Sequence, residues 1–137
     1  MLRLITILCT LLPLTSRFGQ DSFDVYLKGK LLTHQVVSSS QGLHALQLTD
    51  ADAAGEIVIE YRQCNAPDKI GRNRSIYLKD HGGKIVRTWK FADAGSGSTA
   101  MSIPVKELLQ AKKASKGTLS LCYCATGREY GQAFAAI

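Results

Sequence analysis

Apolar residues at every second position, in short runs broken by turn residues, constrain this chain more than any other feature. Ile57, Ile59 and Tyr61 alternate with Val58, Glu60 and Arg62. Phe23, Val25 and Leu27 alternate with Asp24, Tyr26 and Lys28, and Leu46 and Leu48 alternate with Gln47 and Thr49. A period of two places alternate side chains on opposite faces of an extended strand, so each run predicts a strand with one buried face. Further strands are expected over Leu31 to Val37, Ile76 to Lys79, Lys84 to Phe91, around Met101 and Ile103, around Leu119 to Tyr123, and over Gln132 to Ala136. Lys28-Gly29-Lys30 and Asp80-His81-Gly82-Gly83 read as tight turns, because glycine accepts the positive φ such turns require. One helix is expected from Val105 to Lys113, opened by Pro104, whose missing N–H costs little there, and ended by Gly117. It would cross from one strand to the next. Trp89 and Phe91 share core parity with Ile85. Arg87 does too, which points to a bulge or a sheet edge.

Eight or nine short strands with one crossover helix predict an all-β fold, an antiparallel β-sandwich of immunoglobulin-like type. An open or closed barrel is the alternative.

The first nineteen residues have a different character. Met1 to Arg3 is a short cationic start, Leu4 to Leu14 is an apolar run, and Thr15 to Gly19 turns polar and small. That order is the pattern of a secretory signal peptide. As a helix the apolar run reaches only ~16 Å at ~1.5 Å per residue, against a bilayer core of roughly 30 Å. Cleavage is expected between Gly19 and Gln20, with a cut after Ser16 as the alternative. The expected organisation is a signal peptide, residues 1–19, and a single β-domain, residues 20–137. The chain is then exported to the periplasm or beyond the cell, with no membrane span after cleavage. The mature part keeps 15 Lys and Arg against 11 acids. These positives are scattered, with no stripe or motif of a nucleic-acid reader.

Cys9 leaves with the leader, so the mature chain carries Cys64, Cys122 and Cys124. By parity all three fall on the faces opposite the apolar residues of their strands. Cys122 and Cys124 are too far apart along one strand to join readily. In an oxidising compartment Cys64 is therefore a disulfide candidate with either Cys122 or Cys124. Two other readings remain open: three reduced, packed thiols, or a metal site made with His81. The C-x-C spacing argues against the metal. No metal or cofactor is expected.

The sequence holds no nucleophile elbow, no H-E-x-x-H and no phosphate loop. His34, His44 and His81 have no carboxylate or nucleophile paired with them nearby in sequence. Asp50 and Asp52 lack the further oxygen ligands of a calcium loop. Asn73-Arg74-Ser75 matches a glycosylation sequon. Tyr26 and Tyr77, on the polar parity of their strands, together with Arg72 and Arg74, make the candidate binding surface, since tyrosine and arginine are enriched at binding hot spots.

The succession VYLKGK, IVIEYRQC, RNRSIYLKD…KIVRTWKF, MSIPVKELL and LSLCYCA resembles that of small exported bacterial β-domain proteins of unknown function. The resemblance implies a secreted β-domain and transfers no catalytic or binding residue. The expectation is a monomeric binding or accessory module without catalysis, its partner a protein or glycan of the cell envelope. A small metal-binding or thiol redox protein is the alternative, and a hydrolase the third reading.

Overall fold

A computed structural model describes residues 21–37, 42–62, 71–94 and 100–137. The signal-peptide and Cys64 expectations fall outside the described residues. Among these residues, eight strands form two antiparallel four-stranded sheets. The first contains β1 (Ser22–Leu27), β2 (Lys30–Val36), β3 (Glu56–Arg62) and β6 (Ala100–Pro104), in the order β2-β1-β3-β6. The second contains β4 (Ser75–Lys79), β5 (Ile85–Lys90), β7 (Ser120–Ala125) and β8 (Arg128–Ala136), in the order β5-β4-β7-β8. One helix, α1 (Val105–Ala114), carries the chain from β6 in the first sheet to β7 in the second.

The alternation becomes register. Phe23, Val25 and Leu27 on β1 stand opposite Tyr61, Ile59 and Ile57 on β3, and Ile57 and Ile59 stand opposite Ile103 and Met101 on β6. Ile76 and Leu78 on β4 face Tyr123 and Leu121 on β7. Both sets belong to one hydrophobic core. Aromatic rings join the two sheets. Phe23 stacks on Phe134 of β8 at 4.7 Å between centroids and on Tyr61 at 4.5 Å, and Tyr61 meets Tyr123 at 4.5 Å. At this end of the core the Tyr61 hydroxyl donates to the buried carboxylate of Asp21 at 2.8 Å.

The turns follow their residues. Between β1 and β2, Lys28 and Gly29 both have positive φ, 51° and 77°. That is the combination whose twist matches a two-residue hairpin. Between β4 and β5, the Asp80 carboxylate accepts from the backbone N–H of Gly82 and of Lys84, at 3.0 and 2.9 Å.

Three expectations are corrected. The alternation at Leu46 and Leu48 does not make a strand. The segment forms a single parallel bridge, Ala45 to Ala136, with the Leu46 N–H on the Ala136 carbonyl at 2.7 Å. Leu46 is buried while His44 stays exposed. The helix stops at Ala114, before the extended Ser115, and Gly117 lies beyond it. Ile85 is 52% exposed, and Trp89 and Phe91 are only partly buried against the core.

The last result and the core-parity Arg87 have one cause. β5 is an edge strand, and its register with β4 shifts between Leu78 and Lys79, with Val86 as the extra residue. The first turn of α1 reaches the inner face of β5 through Glu107. Glu107 of α1 takes the Arg87 guanidinium on one carboxylate oxygen and the Trp89 indole N–H on the other, the latter at 3.0 Å. A cation and an indole on core parity are thus both satisfied by one acid in the first turn of the helix, a position that also suits the helix dipole.

Candidate functional site

Glu107 ties the first turn of α1 to β5, and a groove lies between the later turns of the helix and the β4–β5 hairpin. It is open, with a volume of about 560 Å³, and is lined on one wall by Asp80, Lys84, Val86 and Arg87. The other wall is built by Gln110 and Ala111 in the later turns of α1 and by Ser115 and Lys116 just past its end. Just past α1, His81 packs on the backbone of Gly117. A Cβ placed there would come within 3.2 Å of the His81 Nδ1.

The groove carries a small net positive charge, Lys84 and Lys116 against Asp80. The Asp80 carboxylate is engaged by the turn N–H groups, and the Arg87 charge is met by Glu107. Among the described residues, Lys84 and Lys116 have no ion-pair partner. A smaller hollow of about 160 Å³ lies on another side of α1, where Lys113 pairs with Asp50 at 3.3 Å. Asp50 and Asp52 belong to a single 3₁₀ turn. There the Asp52 carboxylate accepts from the Thr49 N–H at 2.9 Å, which holds it below the ordinary carboxylate range.

The four residues of the candidate binding surface do not form one rim. Tyr26 lies on the outward face of the first sheet and Tyr77 on the outward face of the second. Arg72 is exposed, but Arg74 is buried, its Nε donating to the Ala92 carbonyl at 2.8 Å. The sequon residue Asn73 donates its amide to the Thr126 hydroxyl at 2.9 Å.

Tyr77 is itself buried. Its ring lies across β7 so that the hydroxyl reaches the backbone of Gly131 on β8, with the Lys79 ammonium 5.2 Å from the ring centroid. Burial pushes its phenol above the ordinary range, with a smaller contribution from Cys122 and Cys124. Cys122 and Cys124 face outward beside Tyr77, as parity requires, and no disulfide forms among the described residues. β3 and β7 lie in different sheets. Among the described residues no group of three His, Cys, Asp or Glu side chains could hold a metal ion.

Burial pushes the Cys122 thiol upward, and Lys79 opposes this only in part. The thiolate is the nucleophile, so a raised thiol is a slow one. Alkylation of native protein by iodoacetamide near pH 8, followed by peptide mass mapping, is expected to label Cys122 far more slowly than in urea. Equal rates would show that the thiol is not held in this environment. The folded thiol titrates above its unfolded value of 9.0. Its contribution to stability is therefore complete below that value and is lost as pH rises through the folded one.

One pairing was not visible in the sequence. The β1–β2 register sets His34 opposite Asp24, and the imidazole Nδ1 meets the buried Asp24 carboxylate. Arg62 approaches the second oxygen, Nε to Oδ2 at 3.7 Å. Counting outward from the Lys28-Gly29 turn sets Asp24 opposite Thr33. A bulge at Leu32 shifts the register by one and brings His34 to Asp24, so the turn alone does not reveal the pair.

Comparison with protein-family models finds no match to this chain, and neither does comparison with curated proteins or with solved structures.

Proposed function

We propose that the chain is an exported binding module of the periplasm or cell surface, and that it takes an anionic partner in the groove between the β4–β5 hairpin and α1. The observation that carries this reading is the groove itself, with Lys84 and Lys116 on opposite walls and, among the described residues, no acid paired with either. Arg87, fixed by Glu107, supplies a third donor at the same rim. Catalysis is not part of the proposal. The Asp24–His34 pair would orient an imidazole for a hydrolase, the third reading, but it lies on the outward face of the other sheet from the hairpin that walls the groove.

The finer fold proposed is an immunoglobulin-like sandwich. The order β5-β4-β7-β8 corresponds to C′-C-F-G, and β1-β3-β6 to A-B-E. Two features depart from that plan: β2 adds a strand beside β1, and the connection from β6 to β7 contains α1. The secretory pattern of residues 1–19 supports export, and the likeness to small exported bacterial β-domain proteins accords with it. Cys64 as a partner for Cys122 or Cys124 remains part of the proposal for an oxidising compartment.

Titration of the protein with fluorescent oligoglutamate tests the groove. Binding is expected at low salt, weakening as salt is raised, because exposed charges are screened. Lys84→Glu combined with Lys116→Glu is expected to weaken it by about tenfold or more, since two attractive contacts become repulsive. Oligoglutamate binding that is unchanged by the double variant would remove this site from consideration.

A further inference from the structure

The strand β5, which walls the groove with Val86 and Arg87, has an open edge that continues beyond the groove through Thr88 and Lys90, and we propose that the partner is an acidic, extended polypeptide segment that adds as a further strand to β5. This rests on the groove being the binding site and names how the site is used.

The backbone directions follow from the β4–β5 register. The Phe91 N–H donates to the Arg74 carbonyl at 2.9 Å, so Arg74 and Phe91 form a hydrogen-bonded pair. In an antiparallel ladder such pairs alternate with pairs whose N–H and C=O groups point away from one another. Ile76 with Trp89 and Leu78 with Arg87 are then the bonded pairs, and Ser75 with Lys90 and Tyr77 with Thr88 are not. The backbone N–H and C=O of Thr88 and Lys90 are therefore directed to the free edge of β5. That edge has no strand beside it among the described residues, whereas the edge of β8 already carries the bridge from Ala45. Thr88 and Lys90 are both exposed.

Three properties of this edge select the occupant. Unpaired backbone groups in a row are met by another extended backbone. The lysines at the edge and in the groove, Lys84, Lys90 and Lys116, call for carboxylates along that backbone. Ile85 and Val86, 52% and 38% exposed, offer apolar contacts at the start of the strand. A segment that alternates acidic and β-branched residues meets all three, while a small anion or a polyphosphate meets only the charge.

The test uses an extended peptide of alternating Glu and Val, and the same peptide N-methylated at alternate residues so that its edge-facing donors are lost. The protein carries either Thr88→Pro or Thr88→Ala. Proline removes an N–H that the ladder to β4 does not use, and proline is tolerated at a sheet edge in that orientation. The unmodified peptide is expected to bind, and N-methylation is expected to weaken it about tenfold, the loss of roughly two backbone hydrogen bonds. Thr88→Pro is expected to do the same with unchanged circular dichroism, and Thr88→Ala to have little effect.

If both peptides bind equally to the native protein, strand addition is overturned and the anionic groove stands. If neither binds at low salt, both readings fall. A concentration-dependent dimer seen by sedimentation and abolished by Thr88→Pro would give the edge to a second copy of the chain and overturn the proposed occupant. Should Thr88→Pro fail to fold, the two peptides against the native protein still decide the matter.

Discussion

Replacement of Phe23 by alanine is expected to cost about 3–5 kcal/mol of folding stability, the range for deleting a buried aromatic ring. Phe23 is fully buried on the central strand β1 and touches rings from both sheets: Tyr61 beside it, and Phe134 and Tyr123 across from it. Alanine removes the transfer energy of the ring and leaves a cavity whose walls are held by two separate backbones. Collapse of that cavity would require the sheets to approach, and the neighbouring pairs Ile57–Ile103 and Leu78–Leu121 prop them apart. Against a total stability of about 5–15 kcal/mol, the loss should lower the melting temperature by roughly 10–25 °C. Urea unfolding monitored by tryptophan fluorescence measures it. Phe91→Ala, at a partly exposed rim position, is expected to cost less than half as much. Equal costs at the two positions would mean that the ring of Phe23 does not bridge the sheets.

Gly131→Ala should be nearly as damaging, for a different reason. A Cβ at this position would overlap the Tyr77 hydroxyl, which lies on the glycine backbone. Gly131 also has φ +74°, a conformation that costs an L-residue about 1–2 kcal/mol. Overpacking adds about 1–3 kcal/mol, so the total expected is about 2–5 kcal/mol. The two contributions separate in a double-mutant cycle. In a Tyr77→Val background the steric part disappears and only the backbone part, about 1–2 kcal/mol, should remain. The same cost in both backgrounds would show that Tyr77 does not occupy the space above Gly131.

Most of the secondary structure could be read from the order of the residues. Period-two alternation located β1, β3, β4 and β7, and the two hairpin turns followed from glycine and its neighbours. These are local signals, set by which side of a strand meets the core. The errors arose where the partner was remote. Leu46 alternates like a strand residue, yet its backbone reaches only one bridge because the neighbouring edge belongs to β8, far along the chain. Arg87 on core parity looked like a contradiction until Glu107 arrived from α1 to meet it. The groove was illegible for the same reason: Lys84 and Lys116 are separated by two strands and a helix in sequence and face one another only after α1 has crossed between the sheets. Tyr26 and Tyr77 show the reverse case. Parity put both on outward faces, and it could not say that the faces belong to different sheets. Asp24 and His34 meet only because Leu32 bulges out of the ladder and shifts by one the register that the turn alone would set.

The crossing of α1 has a consequence for how the chain assembles. β1 with β2, β4 with β5, and β7 with β8 are each joined to a sequence neighbour, so three hairpins can close in microseconds. β3 and β6 have no such neighbour. β3 must find β1 on one side and β6 on the other, and the rings on β1 and β3 meet their partners only when β7 and β8 have been made. A nascent chain that stops before α1 therefore holds Phe23, Ile57 and Ile59 on a sheet with only the β4–β5 hairpin to set across from it. Searches over such distances are slow, and the uncovered apolar face is prone to associate while they last. Assembly therefore waits on the β7–β8 hairpin: made after α1, it is the one whose rings cover the first strand.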